Sequence, residues 1–117
     1  MVATTDCREL VSSFLAGNSQ TAPTHMAFGT GTSVPNAEDT ALNTENTRNA
    51  MTSTTLTGQE VSFKAILNAT QANGVVITEI GLLNASSSGT LFTRNTFSSI
   101  TKANTFQIEA TIILRVE

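Results

Sequence analysis

The sequence has no tryptophan, no tyrosine, one cysteine, one histidine and two prolines in 117 residues, and aromatic residues make up only 5%. Protein hot spots and sugar-stacking sites lean on Trp and Tyr, so a stand-alone glycan- or cell-surface-binding module is disfavoured. Charge is scarce as well. Charged residues reach 13%, about half the usual share of about 25%. The net charge is −3, and six Lys and Arg lie singly along the chain. A nucleic-acid backbone would find no basic stripe. No apolar run approaches the roughly 18 residues needed to span a bilayer, and Asp6, Arg8 and Glu9 stand where a secretory leader needs apolar residues. The chain is expected to be neither inserted in a membrane nor exported. The lone Cys7 allows no internal disulfide, which suits synthesis in a reducing cytoplasm and leaves stability to packing or assembly.

Thr, Ser and Asn take the place of the missing charge. They are short side chains, and Thr is β-branched, which favours pleated surfaces and polar turns over exposed helices. The expected fold is mainly β: an antiparallel β-sandwich or small barrel with one N-terminal α-helix, in a single domain over residues 1–117. Within it, residues 1–18 hold the helix, 24–50 a strand and an irregular contact loop, and 51–117 the antiparallel strands.

The helix follows from a capping residue among Thr4, Thr5 and Asp6, with Cys7, Leu10, Val11, Phe14 and Leu15 at three-and-four spacing and Gly17-Asn18 as the stop. About three turns of helix are marginal alone in water. The narrow stripe must therefore dock, on its own sheet or on a neighbouring chain. A short strand at residues 25–28 leads into Gly29-Thr30-Gly31-Thr32. From Asn36 to Ala50 Leu42 is the main large apolar residue, so this stretch is expected to be irregular, exposed and available for contact. Leu10, Phe14, Pro35 and Leu42 are the candidate contact surface.

From Met51 the period becomes two. Val61, Phe63, Ala65, Leu67 and Ala69 alternate with polar residues. Asn73-Gly74 signals a hairpin. Residues 75–83 form an apolar run suited to a central strand, and 91–97 the next strand. Phe106, Ile108, Ala110, Ile112, Leu114 and Val116 alternate with polar residues up to Glu117, the clearest amphipathic strand in the chain.

Catalytic and metal candidates are thin. Cys7 falls on the helix's apolar stripe, where a packed thiol outweighs a nucleophile, and His25 flanks a strand. One His and one Cys do not make a closed zinc site. No catalytic residue, metal or cofactor is expected. Gly29, Gly31 and Gly81 read as tight-turn glycines, since the 29–33 stretch lacks the third glycine and the Lys-Ser/Thr pair of phosphate loops. The sequons Asn68-Ala69-Thr70 and Asn84-Ala85-Ser86 have no secretory signal beside them. Glu79 and Arg94 each interrupt an apolar or uncharged strand, so each must be solvated or paired. A Glu79–Arg94 ion pair is expected if their strands are neighbours, and Glu45–Arg48 is a second candidate pair.

Four stretches, taken in order, carry a family likeness: His25-Met26-Ala27-Phe28-Gly29-Thr30-Gly31-Thr32; Pro35, Asp39-Thr40-Ala41-Leu42, Glu45 and Arg48; Thr78-Glu79-Ile80-Gly81-Leu82-Leu83; and Gly89-Thr90-Leu91-Phe92-Thr93-Arg94 with Phe97 and Ile100-Thr101-Lys102. Together these resemble the N-terminal domain of tail-collar fibre proteins of tailed bacteriophages, over nearly the whole chain. Leu83 departs from the aromatic residue usual at that position in the family. The resemblance implies a virion structural protein, a tail-fibre adaptor or a collar or baseplate attachment module without a receptor-binding tip. Its implied partners are other virion proteins and further copies of itself around a symmetry axis, a trimer being one arrangement. A head decoration protein is the alternative within assembly.

Overall fold

A computed structural model describes residues 2–116; Met1 and Glu117, the residue that the alternating pattern puts at the chain's end, lie outside the described residues. The order of elements is β1 (Val2–Ala3), α1 (Thr5–Leu15), β2 (His25–Gly29), β3 (Glu45–Ala50), β4 (Ser53–Thr57), β5 (Glu60–Leu67), β6 (Val76–Leu83), β7 (Leu91–Thr101) and β8 (Ile108–Arg115). All pairings are antiparallel. They make a five-stranded sheet of order β1-β7-β6-β2-β3 and a three-stranded sheet of order β4-β5-β8. The two sheets stay separate, so the fold is sandwich-like and not a closed barrel.

Alternation builds the core. Met26, Phe28, Ile80, Leu82 and Phe92 of the large sheet meet Phe63, Ala65, Leu67 and Ile112 of the small one in a single apolar cluster. Burying each large side chain contributes about 1.5–3 kcal/mol. On β8 the alternating row holds from Ile108 to Leu114 only: Ile112 is buried, Ile108, Ala110 and Leu114 are half-buried against the core, and Glu109, Thr111, Ile113 and Arg115 face out. Phe106 and Val116, read as members of the buried row, lie outside β8 and are exposed.

Four further expectations change. Asn73-Gly74 does not join a hairpin, because β5 pairs with β4 and β8 while β6 pairs with β2 and β7. The turn instead carries the chain from one sheet to the other. Residues 45–50 are a strand, not irregular loop, since the β2 backbone pairs with them despite their polar side chains. The contact loop shrinks to residues 30–44. Helix α1 is shorter than 1–18, and a two-residue strand precedes it.

Thr4 is the N-cap. Its Oγ1 accepts from the Cys7 N–H at 3.0 Å and donates to the Leu91 carbonyl. Its own N–H donates to the Phe92 carbonyl at 3.0 Å, so the cap is also an anchor on β7. Gly17, at φ 97°, ends the helix. Cys7 and Leu10 touch the core, whereas Val11, Phe14 and Leu15 stay exposed. The helix thus docks in cis by its first half only.

Candidate functional site

The strand register lines up the residues of interest on the face of the large sheet that points away from the small one. Arg48, Ala27, Gly81 and Arg94 stand side by side on β3, β2, β6 and β7. Glu45, Gly29, Glu79 and Thr96 form the next row. Two arginines and two glutamates therefore flank a trough floored by alanine and glycine. In a regular strand, residues three apart point to opposite faces. The register slip that skips Asn46 restores Glu45 to the face of Arg48.

Residues 30–44 cover this trough, and Glu79 holds them there. Its Oε2 accepts the N–H groups of Gly31 at 2.7 Å and Thr44 at 2.8 Å. Its Oε1 accepts the Asn43 N–H at 2.8 Å and Arg94 Nε at 2.9 Å. Both side chains are fully buried, at 0% and 1% exposure. Burial alone pushes the Glu79 carboxyl's pKa up, but the donors on Thr44, Arg94, Asn43 and Gly31 outweigh it and hold the group below its ordinary value.

Arg94 extends the network. Its Nη1 reaches Asp39 Oδ2 at 3.1 Å and its Nη2 donates to the Ser33 carbonyl at 3.0 Å. Asp39 in turn accepts the Asn36 N–H at 2.9 Å, closing a small turn. That turn reaches the helix start: the Thr5 N–H donates to the Ala37 carbonyl at 2.7 Å and Thr5 Oγ1 to Glu38 Oε1 at 2.7 Å. Arg48 forms a forked pair with Glu45 at 2.9 and 2.7 Å, and its Nη1 donates to the carbonyls of Ala85 and Ser88 in the β6–β7 turn.

Chemically, this is a staple. A carboxylate offers about four acceptor positions, and Glu79 has four donors on them. No acceptor remains for a substrate proton or a metal ion. Gly29, Gly31 and Gly81 are corrected from tight-turn glycines to close-approach glycines, since none adopts positive φ. A Cβ on Gly29 or Gly31 would run into the Glu79 carboxylate, and one on Gly81 would lie 2.8 Å from Leu42 Cδ2.

The contact-surface candidates divide. Leu42 is not a contact residue: it is buried over Gly81, clustered with Ala27, Leu83 and Leu91. Pro35 is half-buried beside the exposed Val34. Leu10 and Phe14 do line an open apolar groove of about 260 Å³, together with Val11, Ala22, Pro23 and Phe92. Cys7 packs half-buried against the core, and burial raises its pKa although Arg8 pulls it down. His25 Nδ1 lies 2.8 Å from Thr24 Oγ1. Among the described residues no cluster of His, Cys, Asp and Glu could hold a metal, and no helix is long and apolar enough to cross a membrane.

Two residues escaped sequence reasoning. Asp39 lies in the second resembling stretch and could have been found there as a further acid for Arg94 to pair with. Lys102 is buried to 1% exposure; its Nζ donates to Asn73 Oδ1 at 3.1 Å and the Ala103 carbonyl at 2.9 Å and sits 5.5 Å from the Phe106 ring centroid. It fastens the 68–75 crossover to the β7–β8 connection. Comparison with known proteins returns no match, whether to a family model, a curated protein or a solved structure.

Proposed function

We propose that the chain is a non-enzymatic virion structural module, a tail-fibre adaptor or a collar or baseplate attachment piece that works by docking on other virion proteins. One observation carries this reading. Gly29, Gly31, Asp39, Leu42, Glu79, Gly81 and Arg94, all drawn from the stretches that resemble tail-collar fibre proteins, converge on one buried staple. Residues that share a likeness and build architecture, with every carboxylate oxygen of Glu79 occupied, suit a scaffold that holds a surface in shape. They do not suit a reaction centre, which needs an accessible group.

The surface best fitted to docking is the outer half of α1. Phe14 is 63% and Leu15 78% exposed, on a helix that its own sheet covers on one side only. The apolar groove under Leu10 and Phe14 continues it. The absence of Trp and Tyr speaks for contact by extended shape complementarity with other virion subunits, and against glycan reading.

The test is assembly. Particles produced without the chain should lack a tail, collar or baseplate feature, and adding the purified chain should restore it. Val11→Asp with Phe14→Asp, at two exposed positions, should abolish restoration while leaving the circular dichroism spectrum unchanged. Complete particles formed without the chain would sink the proposal.

A further inference from the structure

Asn73-Gly74 is the one place in the chain where an asparagine precedes a glycine, and it lies on the turn that carries the chain from the small sheet to the large one. The Val75 N–H closes that turn on the Ala72 carbonyl at 3.0 Å, and the Gly74 N–H donates to the Lys102 carbonyl at 2.8 Å. Asn73 and Gly74 are both exposed, so water reaches them. Gly74 sits at φ 81°, and nothing lies within 4 Å of the place a Cβ would take. Its nitrogen has no side chain beside it to hinder attack.

The Asn73 carboxamide is held at both ends. Its Nδ2 donates to the Ala69 carbonyl at 3.0 Å, and its Oδ1 accepts from Lys102 Nζ at 3.1 Å. Lys102 is 1% exposed, yet its other partners are the Ala103 carbonyl at 2.9 Å and the Phe106 ring, whose centroid is 5.5 Å from Nζ. Lysine is almost never buried so fully without an acid beside it. Among the described residues no carboxylate pairs with this one.

We propose that Asn73 is a self-modification site that converts to aspartate through a cyclic imide, and that Lys102 directs the outcome. The Gly74 nitrogen gives its proton to solvent and bonds to Asn73 Cγ, and the side-chain amide takes a proton from solvent and leaves as ammonia. Water then adds to the imide, and one of its two ring C–N bonds breaks. Lys102 donates to Oδ1, the oxygen that carries the developing negative charge both in ring closure and in opening at Cγ. Opening at Cγ returns a proton to the Gly74 nitrogen and leaves an ordinary aspartate. Opening at the main-chain carbonyl, to which Lys102 does not donate, leaves isoaspartate instead. The Gly74 N–H must first leave the Lys102 carbonyl, so the change is slow in the folded chain. Its product supplies the buried ammonium with a carboxylate, and the clamp between the 68–75 crossover and the β7–β8 connection becomes an ion pair. This goes beyond the docking reading and does not depend on it.

Prolonged incubation of the purified chain in neutral buffer, followed by peptide mapping with mass spectrometry, reads the site. Asn73 should convert before Asn68, Asn84 or any other asparagine, and aspartate should exceed isoaspartate at least twofold. The same residues as a free peptide should give mainly isoaspartate, and Lys102→Met should move the folded chain's ratio toward the peptide's. Asn73→Asp, made directly, should melt a few degrees above unconverted wild type, and the gain should vanish in a Lys102→Met background. If Lys102→Met does not fold, the wild-type ratio and the melting of Asn73→Asp decide alone. An intact Asn73 after other asparagines have reacted, a product ratio like the peptide's, an Asn73→Asp chain no more stable than wild type, or a lasting loss of ammonia with Asn73 joined to Lys102 would overturn the proposal.

Discussion

The Leu42 side chain occupies the space that Gly81 leaves by having no Cβ: a carbon added there would lie 2.8 Å from Leu42 Cδ2, 2.9 Å from the Thr93 carbonyl oxygen and 3.0 Å from Leu91 Cδ1. A glycine in the middle of a strand weakens it by itself. Here it lets a loop residue rest on the sheet and complete the small apolar cluster of Ala27, Leu83 and Leu91.

Gly81→Ala should therefore destabilise the fold by about 1–3 kcal/mol, the range for overpacking a tight site. Leu42 can swing aside but the Thr93 backbone cannot, so Leu42→Ala added to Gly81→Ala should restore only part of the loss. Urea unfolding of the single and double variants measures both. A Gly81→Ala protein as stable as the parent would show that the loop does not lie on this strand.

The Glu79–Arg94 pair predicts strong coupling. Removing one partner of a buried pair strands the other and costs about 3–5 kcal/mol. Glu79→Gln and Arg94→Met should each fall in that range, and the double variant should lose clearly less than the two losses added. Additive losses in a double-mutant cycle would mean that the two side chains act independently.

Acidity should weaken the same staple. The folded pKa of Glu79 is lowered, with burial working upward and the donors on Thr44, Arg94, Asn43 and Gly31 outweighing it. Its contribution is thus complete above the unfolded carboxyl value of about 4.3 and is lost as pH falls through the lower folded value. The stability gap between wild type and Glu79→Gln should be wide at pH 7 and narrow steadily in acid. An equal gap at neutral and acid pH, measured by denaturant titration, would contradict this.

How far the sequence foretells the structure depends on the range of the force involved. The amphipathic rows of β5 and β8 are legible because alternation is local and each strand buries one face. Glu79 and Arg94 stand out because ionic groups in apolar strands require partners. The sheet that each strand joins is not legible: Asn73-Gly74 specifies a reversal of the chain but not the neighbour it returns to. β3 escaped because Glu45, Asn46, Thr47, Arg48 and Asn49 are polar throughout, and only the β2 backbone makes them a strand. Leu42 misled because an isolated leucine among polar residues reads as exposed, and its burial depends on a glycine thirty-nine positions away.

Thr93 supplies a prediction of opposite sign. It is 1% exposed, and its Oγ1 is a buried polar atom with no hydrogen-bond partner among the described residues. A hydroxyl taken from water without a partner costs about 1–3 kcal/mol, while valine has nearly the same shape and the same β-branched preference for a strand. Leu82, its cross-strand partner, offers apolar contact. Thr93→Val should therefore raise stability by about 1 kcal/mol or more, worth several degrees in the melting temperature of a domain of this size. A lower melting temperature would mean that the hydroxyl holds a partner, such as an ordered water, that valine displaces.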